Sequence, residues 1–293
     1  MQKQFKYAVN TNSLKDVSCQ DVVKLCLKVG ADGVEWGLPS LEKAAAAAAE
    51  MYRVTTDAGL EICSYINGGH LWKTDLIRRW SDAIKPAGGK VLRVAPPWYA
   101  YNFEESLHQK DSYLDLVKRT RDGLEKLVPI GKEYGIKYVV EIHAAGISAS
   151  VPLVRQMMDG LDSSCVGIIY DPANALIEGG ILPRGAVEVM GPYLAYVHAK
   201  NIAFSYAGQQ LPGKVRRAEW NLKTCSLEYG ALDWLLVFFA LKLVDYHGWI
   251  SFEEFFRDPL SAETELAGAV RFAKLCAEHA PAQPEEPFTT FND

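Results

Sequence analysis

Apolar residues in this chain of 293 gather into eight short runs that read as strands, at residues 5–10, 33–37, 61–67, 90–96, 137–143, 166–171, 194–200 and 249–255. Helically spaced stretches separate them. The clearest lies at 112–134, where Tyr113, Leu116, Val117, Leu124, Leu127, Val128, Gly131 and Tyr134 fall on one face. Six alanines at 44–49 add a second strong helix former. Short strands alternating with helices imply parallel pairing through right-handed crossovers, and eight such units close a (β/α)8 TIM barrel of the α/β class. An open doubly wound sheet would call for a glycine-rich phosphate turn after an early strand. Gly68-Gly69 and Gly88-Gly89 lack that spacing.

The two-residue period of a strand assigns faces. Tyr138, Val140 and Ile142 form the outer set of the fifth strand, which turns Val139, Glu141 and His143 toward the barrel axis. On the sixth, Ile168 and Tyr170 face out, with Ile169 and Asp171 inside. Ala195, Val197 and Ala199 face out on the seventh, leaving His198 and Lys200 inward. Ile250 and Phe252 face out on the eighth, so Ser251 and Glu253 face the axis, and parity selects Glu253 over Glu254. All these polar groups fall at the carboxyl ends of strands, where barrel enzymes place their chemistry.

Glu141, Asp171, His198 and Glu253 offer three carboxylates and one imidazole, a set suited to one divalent ion. Mn2+ or Mg2+ fits best, with Co2+ or Zn2+ tolerated. Three carboxylates and a divalent ion leave a single negative charge, which favours a neutral polyhydroxy substrate over an anion. Among the remaining polar residues, His143 is placed as a base and Lys200 as a donor to an oxyanion or sugar hydroxyl, or as an ion-pair partner of the carboxylates. Asn174, in Asp171-Pro-Ala-Asn174, is a second substrate donor or a turn residue. Glu35 and His70 are candidates for the substrate side or for ordering loops, and Arg93 for anchoring the carboxylates from below.

Bulk properties narrow the class. Hydrophobic residues at 49% suffice for one full core, giving a single barrel domain over 1–280 and a proline-rich tail over 281–293, a surface strap or disordered. With 31 basic against 36 acidic residues and no basic block, neither nucleic acid nor an anionic membrane is an expected partner. Six scattered cysteines without a Cys-x-x-Cys pair read as buried thiols of a reducing compartment. No secretion signal or membrane-spanning run is visible, so the expected location is cytoplasmic. Residues 203–230, with Pro212, Gly213, Trp220 and Gly230, form a long connection expected to act as a lid.

From Ala31-Asp-Gly-Val-Glu35 through Leu227-Glu-Tyr-Gly-Ala-Leu-Asp-Trp234 to Tyr246-His-Gly-Trp-Ile-Ser-Phe-Glu253, the chain resembles the xylose isomerase-like TIM barrel superfamily of sugar phosphate isomerases and epimerases. The family's ligand pattern falls on Glu141, Asp171, His198 and Glu253. The resemblance implies a metal-dependent isomerase or epimerase acting on a keto-sugar through an enediolate, with Glu141 and Glu253 as acid and base. The epimerase members carry glutamate, histidine and arginine where this chain has Ile147, Asn174 and Phe204, whereas His198-Ala-Lys-Asn201 is similar to the His-x-Lys-Asp form of the inosose dehydratase branch. That implies an alternative lyase, a keto-inositol or keto-sugar dehydratase or a carbon-glycoside deglycosidase subunit, with His143 as base. A homo-oligomer is expected, or a small partner subunit for a deglycosidase. A non-catalytic binding barrel would lack at least one ligand, and none is missing. An endonuclease of this superfamily would need more histidines than His143 and His198 in its strands.

Overall fold

The computed structural model describes residues 4–14, 16–99, 103–144, 146–177, 179–210, 217–254 and 261–283. Eight parallel strands close a barrel: β1 (Phe5–Asn10), β2 (Gly33–Gly37), β3 (Glu61–Ile66), β4 (Val91–Arg93), β5 (Lys137–Glu141), β6 (Val166–Tyr170), β7 (Leu194–Ala199) and β10 (Gly248–Phe252). Two further strands, β8 (Asn201–Gln210) and β9 (Arg217–Cys225), pair antiparallel as a separate ribbon between β7 and β10.

The helices between strands are α1 (Cys19–Val29), α2 (Leu41–Asp57), α3 (Thr74–Ile84), α4 (Phe103–Ser106), α5 (Tyr113–Tyr134), α6 (Val151–Met158), α7 (Pro172–Ile177), α8 (Pro183–Met190), α9 (Trp234–Leu243) and α10 (Ala262–His279). Their ends follow local chemistry. Ser112 accepts a hydrogen bond from Asp115 N to start α5, and Gly135, at φ 66°, ends it in the left-handed conformation that glycine adopts at little cost. Among the described residues, no helix is long and apolar enough to cross a membrane.

Two apolar layers hold the barrel. Outward residues, including Tyr138, Val140, Ile168, Val197, Ile250 and Phe252, join the helices in the main core. Inward residues Ala8, Cys63, Val139, Ile169 and Tyr196 plug the interior. Burial of this kind stabilises by roughly 25 cal/mol per Å2 of apolar surface. The inward polar residues Asn10, Glu141, Asp171, His198 and Glu253 lie beyond this plug, at the carboxyl ends of the strands.

Three expectations need correction. Ala195 does not face the helices, because a register shift opposite Ile168 and Ile169 bulges β7 and packs Ala195 against the interior plug. The fourth strand is short, Val91–Arg93, followed by a lone bridge between His70 and Ala95. The connection expected as a loop at 203–230 is largely the ribbon, with Phe204 opposite Leu222 and Tyr206 opposite Trp220. Asn201 staples its base, its side chain bonding Leu227 O, Leu232 O and Leu232 N at 2.8 to 3.0 Å. A Cβ at Gly230 would lie 1.9 Å from Asn201, so that close approach requires glycine. Pro212 and Gly213, and residues 284–293 of the tail, lie outside the described residues.

Candidate metal centre

Glu141 ends β5, Asp171 follows β6, His198 lies next to last in β7 and Glu253 follows β10. The four side chains converge, with one donor atom from each inside a sphere of contacts no wider than 4.8 Å, and all are buried. His198 Nδ1 faces the cluster, 3.0 Å from Glu141 Oε1, 3.6 Å from Glu253 Oε2 and 4.0 Å from Asp171 Oδ2.

The other imidazole nitrogen, Nε2, lies 3.1 Å from Glu35 Oε2. Glu35 is completely enclosed, and its oxygens accept from Ser64 Oγ at 2.9 Å, from Ser251 Oγ at 2.5 Å and from Tyr196 OH. Burial alone would raise its pKa, but His198 and these hydroxyls outweigh it and hold the carboxyl below its usual value. Glu35, expected at the substrate, therefore lies behind His198 and fixes which nitrogen points at the cluster, as carboxylates do behind metal-bound histidines.

The carboxylates are charged unequally. Burial opposes ionisation of Glu141, yet Arg93, His198 and Lys200 hold it well below the usual carboxylate range; Arg93 Nη2 makes a direct ion pair with its Oε2. Asp171 is pushed up to about 6 by burial, which the Lys200 charge only partly offsets, with Glu141 and Glu253 adding to the rise. His198 resists the lowering effect of burial, and the negative charges of Glu35, Glu141 and Glu253 keep its pKa well above the ordinary imidazole value.

These features fit a divalent ion. With a neutral imidazole as ligand, the carboxylates of Glu35, Glu141, Asp171 and Glu253 stand against Arg93 and Lys200 among the described residues, and one divalent ion would balance the two charges left over. Three carboxylate oxygens and one nitrogen are a hard donor set of the kind Mn2+ and Mg2+ take, with Zn2+ and Co2+ also served.

Lys200 Nζ reaches Asp171 Oδ2 at 2.6 Å and Glu253 Oε2 at 2.8 Å. Asn174, expected to hold substrate, turns inward: its backbone N donates to Asp171 Oδ1 at 2.8 Å. Its amide nitrogen lies 2.9 Å from Asp171 Oδ2 and 3.1 Å from Ile142 O. His70 is not brought to the cluster. It is exposed and stacks on Trp72 with centroids 4.5 Å apart. Glu254 is excluded from the cluster and buried beside it, its carboxyl pushed up to about 8 by burial and by Glu265.

His143 lines a chamber of about 50 Å3 together with Arg93, Trp98, Glu141 and Ser148. Its Nδ1 lies 2.5 Å from Ala144 O, and a carbonyl only accepts, so Nδ1 carries the proton and Nε2 is left as the basic nitrogen. The Trp98 ring, 5.4 Å from the imidazole, lies on one side. Ser148 Oγ is buried and meets no hydrogen-bond partner among the described residues, so a polar group entering the chamber would satisfy it. A larger cleft of about 560 Å3 lies over the ends of β1 to β3, lined by Asn12, Trp36 and Asn67 among others and by none of the four candidate ligands.

Sequence reasoning missed Asn10, whose amide lies 3.5 Å from Glu253 Oε1, although its place at the end of β1 obeys the rule that found the ligands. It also missed Ser64, Tyr196 and Ser148, and it set Ser251 facing the axis without giving it a role. Neutral hydroxyls carry no signal in a single sequence, and only the closed barrel shows what they face.

The profile of the family described as xylose isomerase-like TIM barrel matches residues 23–276. By sequence, the chain is 27% identical over 165 residues to an inosose dehydratase of Geobacillus kaustophilus, covering 54% of this chain and 50% of that protein. An inosose dehydratase of Bacillus velezensis is 25% identical over 183 residues, 59% of each. The chain thus spans about half the length of the dehydratases it matches. By structure, the IolI protein with a bound zinc atom superposes with a TM-score of 0.73 at 16% identity, covering 95% of this chain and 100% of that one. The 3-keto-D-glucoside 4-epimerase of E. coli does so with a TM-score of 0.70 at 18% identity, covering 92% and 99%.

Proposed function

This chain belongs to the xylose isomerase-like TIM barrel family, and we propose that within it the protein is a divalent-metal-dependent lyase that removes water from a neutral keto-polyol such as a keto-inositol or keto-sugar. The observation that carries this reading is His143: an imidazole whose Nδ1 is committed to Ala144 O, which leaves Nε2 as the basic nitrogen, and whose chamber adjoins the ligand Glu141. The sequence similarity to two inosose dehydratases supports the same choice.

Glu141, Asp171, His198 and Glu253 would hold the ion, with Mn2+ as the first candidate. When bound, it would polarise the substrate carbonyl and acidify the neighbouring C–H bond. His143 Nε2 then accepts that proton, a role suited to an imidazole near neutral pH. Loss of the β-hydroxyl requires a proton on the departing oxygen, which His143 can return if both groups lie on one face of the ring. Arg93, Ser148 and the imidazole make the small chamber polar enough to receive the water formed. Glu35 and Asn174 position the ligands and need not touch substrate.

A second reading, an isomerase or epimerase, is supported by Glu141 and Glu253 sharing the cluster, where one could take a proton and the other return it. It is weakened by Arg93, which keeps Glu141 ionised and so a poor acid. One experiment separates the two: incubate the Mn2+-loaded protein with keto-inositols, ketohexoses and 3-keto glycosides in D2O. The lyase reading expects ultraviolet absorbance of an unsaturated ketone; deuterium incorporation with inversion or carbonyl migration, and no elimination, would replace it with the isomerase.

A further inference from the structure

Among the described residues, Arg93 and Lys200 are the lysine or arginine side chains paired with the candidate ligands, and they differ in which oxygens they hold. Arg93 pairs with Glu141 Oε2, the oxygen turned away from the cluster, while Oε1 faces His198 Nδ1 at 3.0 Å. An ion at the centre and Arg93 can therefore share Glu141 without conflict.

Lys200 is placed otherwise. Its ammonium holds Asp171 Oδ2 and Glu253 Oε2, the oxygens that face His198 Nδ1. Neither carboxylate turns its second oxygen to the cluster, because Asp171 Oδ1 accepts from Asn174 N at 2.8 Å and Glu253 Oε1 lies toward Asn10 Nδ2 at 3.5 Å. An ion and the ammonium thus draw on the same two atoms, at a distance where like charges repel strongly in a buried site. Unlike the planar guanidinium, a lysine ammonium rides on a flexible four-carbon stem and can leave.

We propose that Lys200 is a displaceable counter-ion: it and the divalent ion compete for Asp171 Oδ2 and Glu253 Oε2, and loading of the ion releases the ammonium to donate to a substrate oxygen. The proposal rests on the metal site described above. It makes ion binding precede productive substrate binding, since Lys200 reaches the substrate only after the ion has taken its place.

The test is equilibrium binding of Mn2+, followed by the electron paramagnetic resonance of the free ion, to the wild-type chain and to Lys200→Gln, Lys200→Met and Lys200→Arg. Both neutral variants are expected to hold Mn2+ tighter by roughly tenfold or more, with Lys200→Arg staying near wild type because it keeps the competing charge. Acylation of Lys200, read by mass spectrometry, is expected to rise when Mn2+ is added to the wild type. Unchanged or weaker Mn2+ binding in both neutral variants, each shown folded by its thermal melt, overturns the competition. Acylation unaffected by Mn2+ overturns the release. A wild-type protein that binds no Mn2+ sinks the metal reading itself, a different result from either.

Discussion

The two sides of His198 are built from the same kind of group and behave differently. Below it, Glu35 sits completely enclosed by Ser64, Tyr196 and Ser251, with hydroxyls as its other hydrogen-bond partners. Above it, Glu141, Asp171 and Glu253 meet full charges, Arg93 and Lys200, beside a chamber lined by His143 and Trp98. A nest of hydroxyls fixes a carboxylate permanently, whereas ion pairs to long side chains hold it in an arrangement that can be exchanged. On the proposed reading, one side positions and the other does the chemistry.

The most severe break in that division is His198→Ala, which removes the link between the two sides. It should lower Mn2+ affinity by more than ~100-fold and abolish turnover, as metal analysis of the purified protein and an elimination assay would show. Wild-type metal content in that variant would mean that the ion sits elsewhere. On the chemical side alone, His143→Gln should cost ~10²- to 10⁴-fold in turnover, the usual range for a lost general base, while Mn2+ affinity stays unchanged. A parallel loss of both would assign His143 to structure.

Glu35→Gln tests the lower side. It keeps the shape but removes the charge behind His198 and turns one accepting oxygen into a donor, and it should weaken Mn2+ binding by ~10- to 100-fold, the range known for such outer carboxylates. Affinity equal to wild type, measured by calorimetry, would leave Glu35 with packing as its sole role.

The mildest effect is that of pH, acting on the exchangeable side. Asp171 titrates at about 6 in the folded protein against an ordinary 3.8, so the ion-free fold retains a proton that the unfolded chain releases. Its contribution to stability is complete below the ordinary value and is lost as pH rises through about 6, a change of ~3 kcal/mol at most. Ion binding needs the carboxylate and a neutral His198, whose own proton must also leave, so it should weaken as pH falls and do so more steeply below about 6, where Asp171 takes up its proton as well. Thermal melts in chelator and Mn2+ titrations between pH 4 and 8 would show the two trends running in opposite directions; a flat profile in both would return Asp171 to the ordinary range.

The upper side was legible in the sequence because its residues are charged and the strands that carry them have unbroken apolar outer faces. Ile250 and Phe252 suffice to choose Glu253 over Glu254, and the structure brings Glu253 to the cluster while leaving its neighbour out. Parity failed at Ala195, where the bulge inserts a residue that no alternation announces. The ribbon was overlooked although Phe204 and Tyr206 alternate, as do Trp220 and Leu222, because a long connection carrying proline and glycine reads as loop. The lower side was legible only in part: Glu35 stands out at its strand end and Ser251 falls on the inward face, but the two are 216 residues apart, and nothing local in either neighbourhood points to the other.

That separation also sets a sequence of events. Asn10 meets Glu253 across 243 residues, and β10 supplies both Ser251 for the nest and Glu253 for the cluster when it pairs with β1 and β7. Contacts so distant along the chain form late in folding. Until the last barrel strand docks, a divalent ion would find two carboxylates, Glu141 and Asp171, and His198 with an incomplete support. On the metal reading, the ion would then enter a nearly finished fold and act as a latch on the closed ring, not as the seed from which the ring grows.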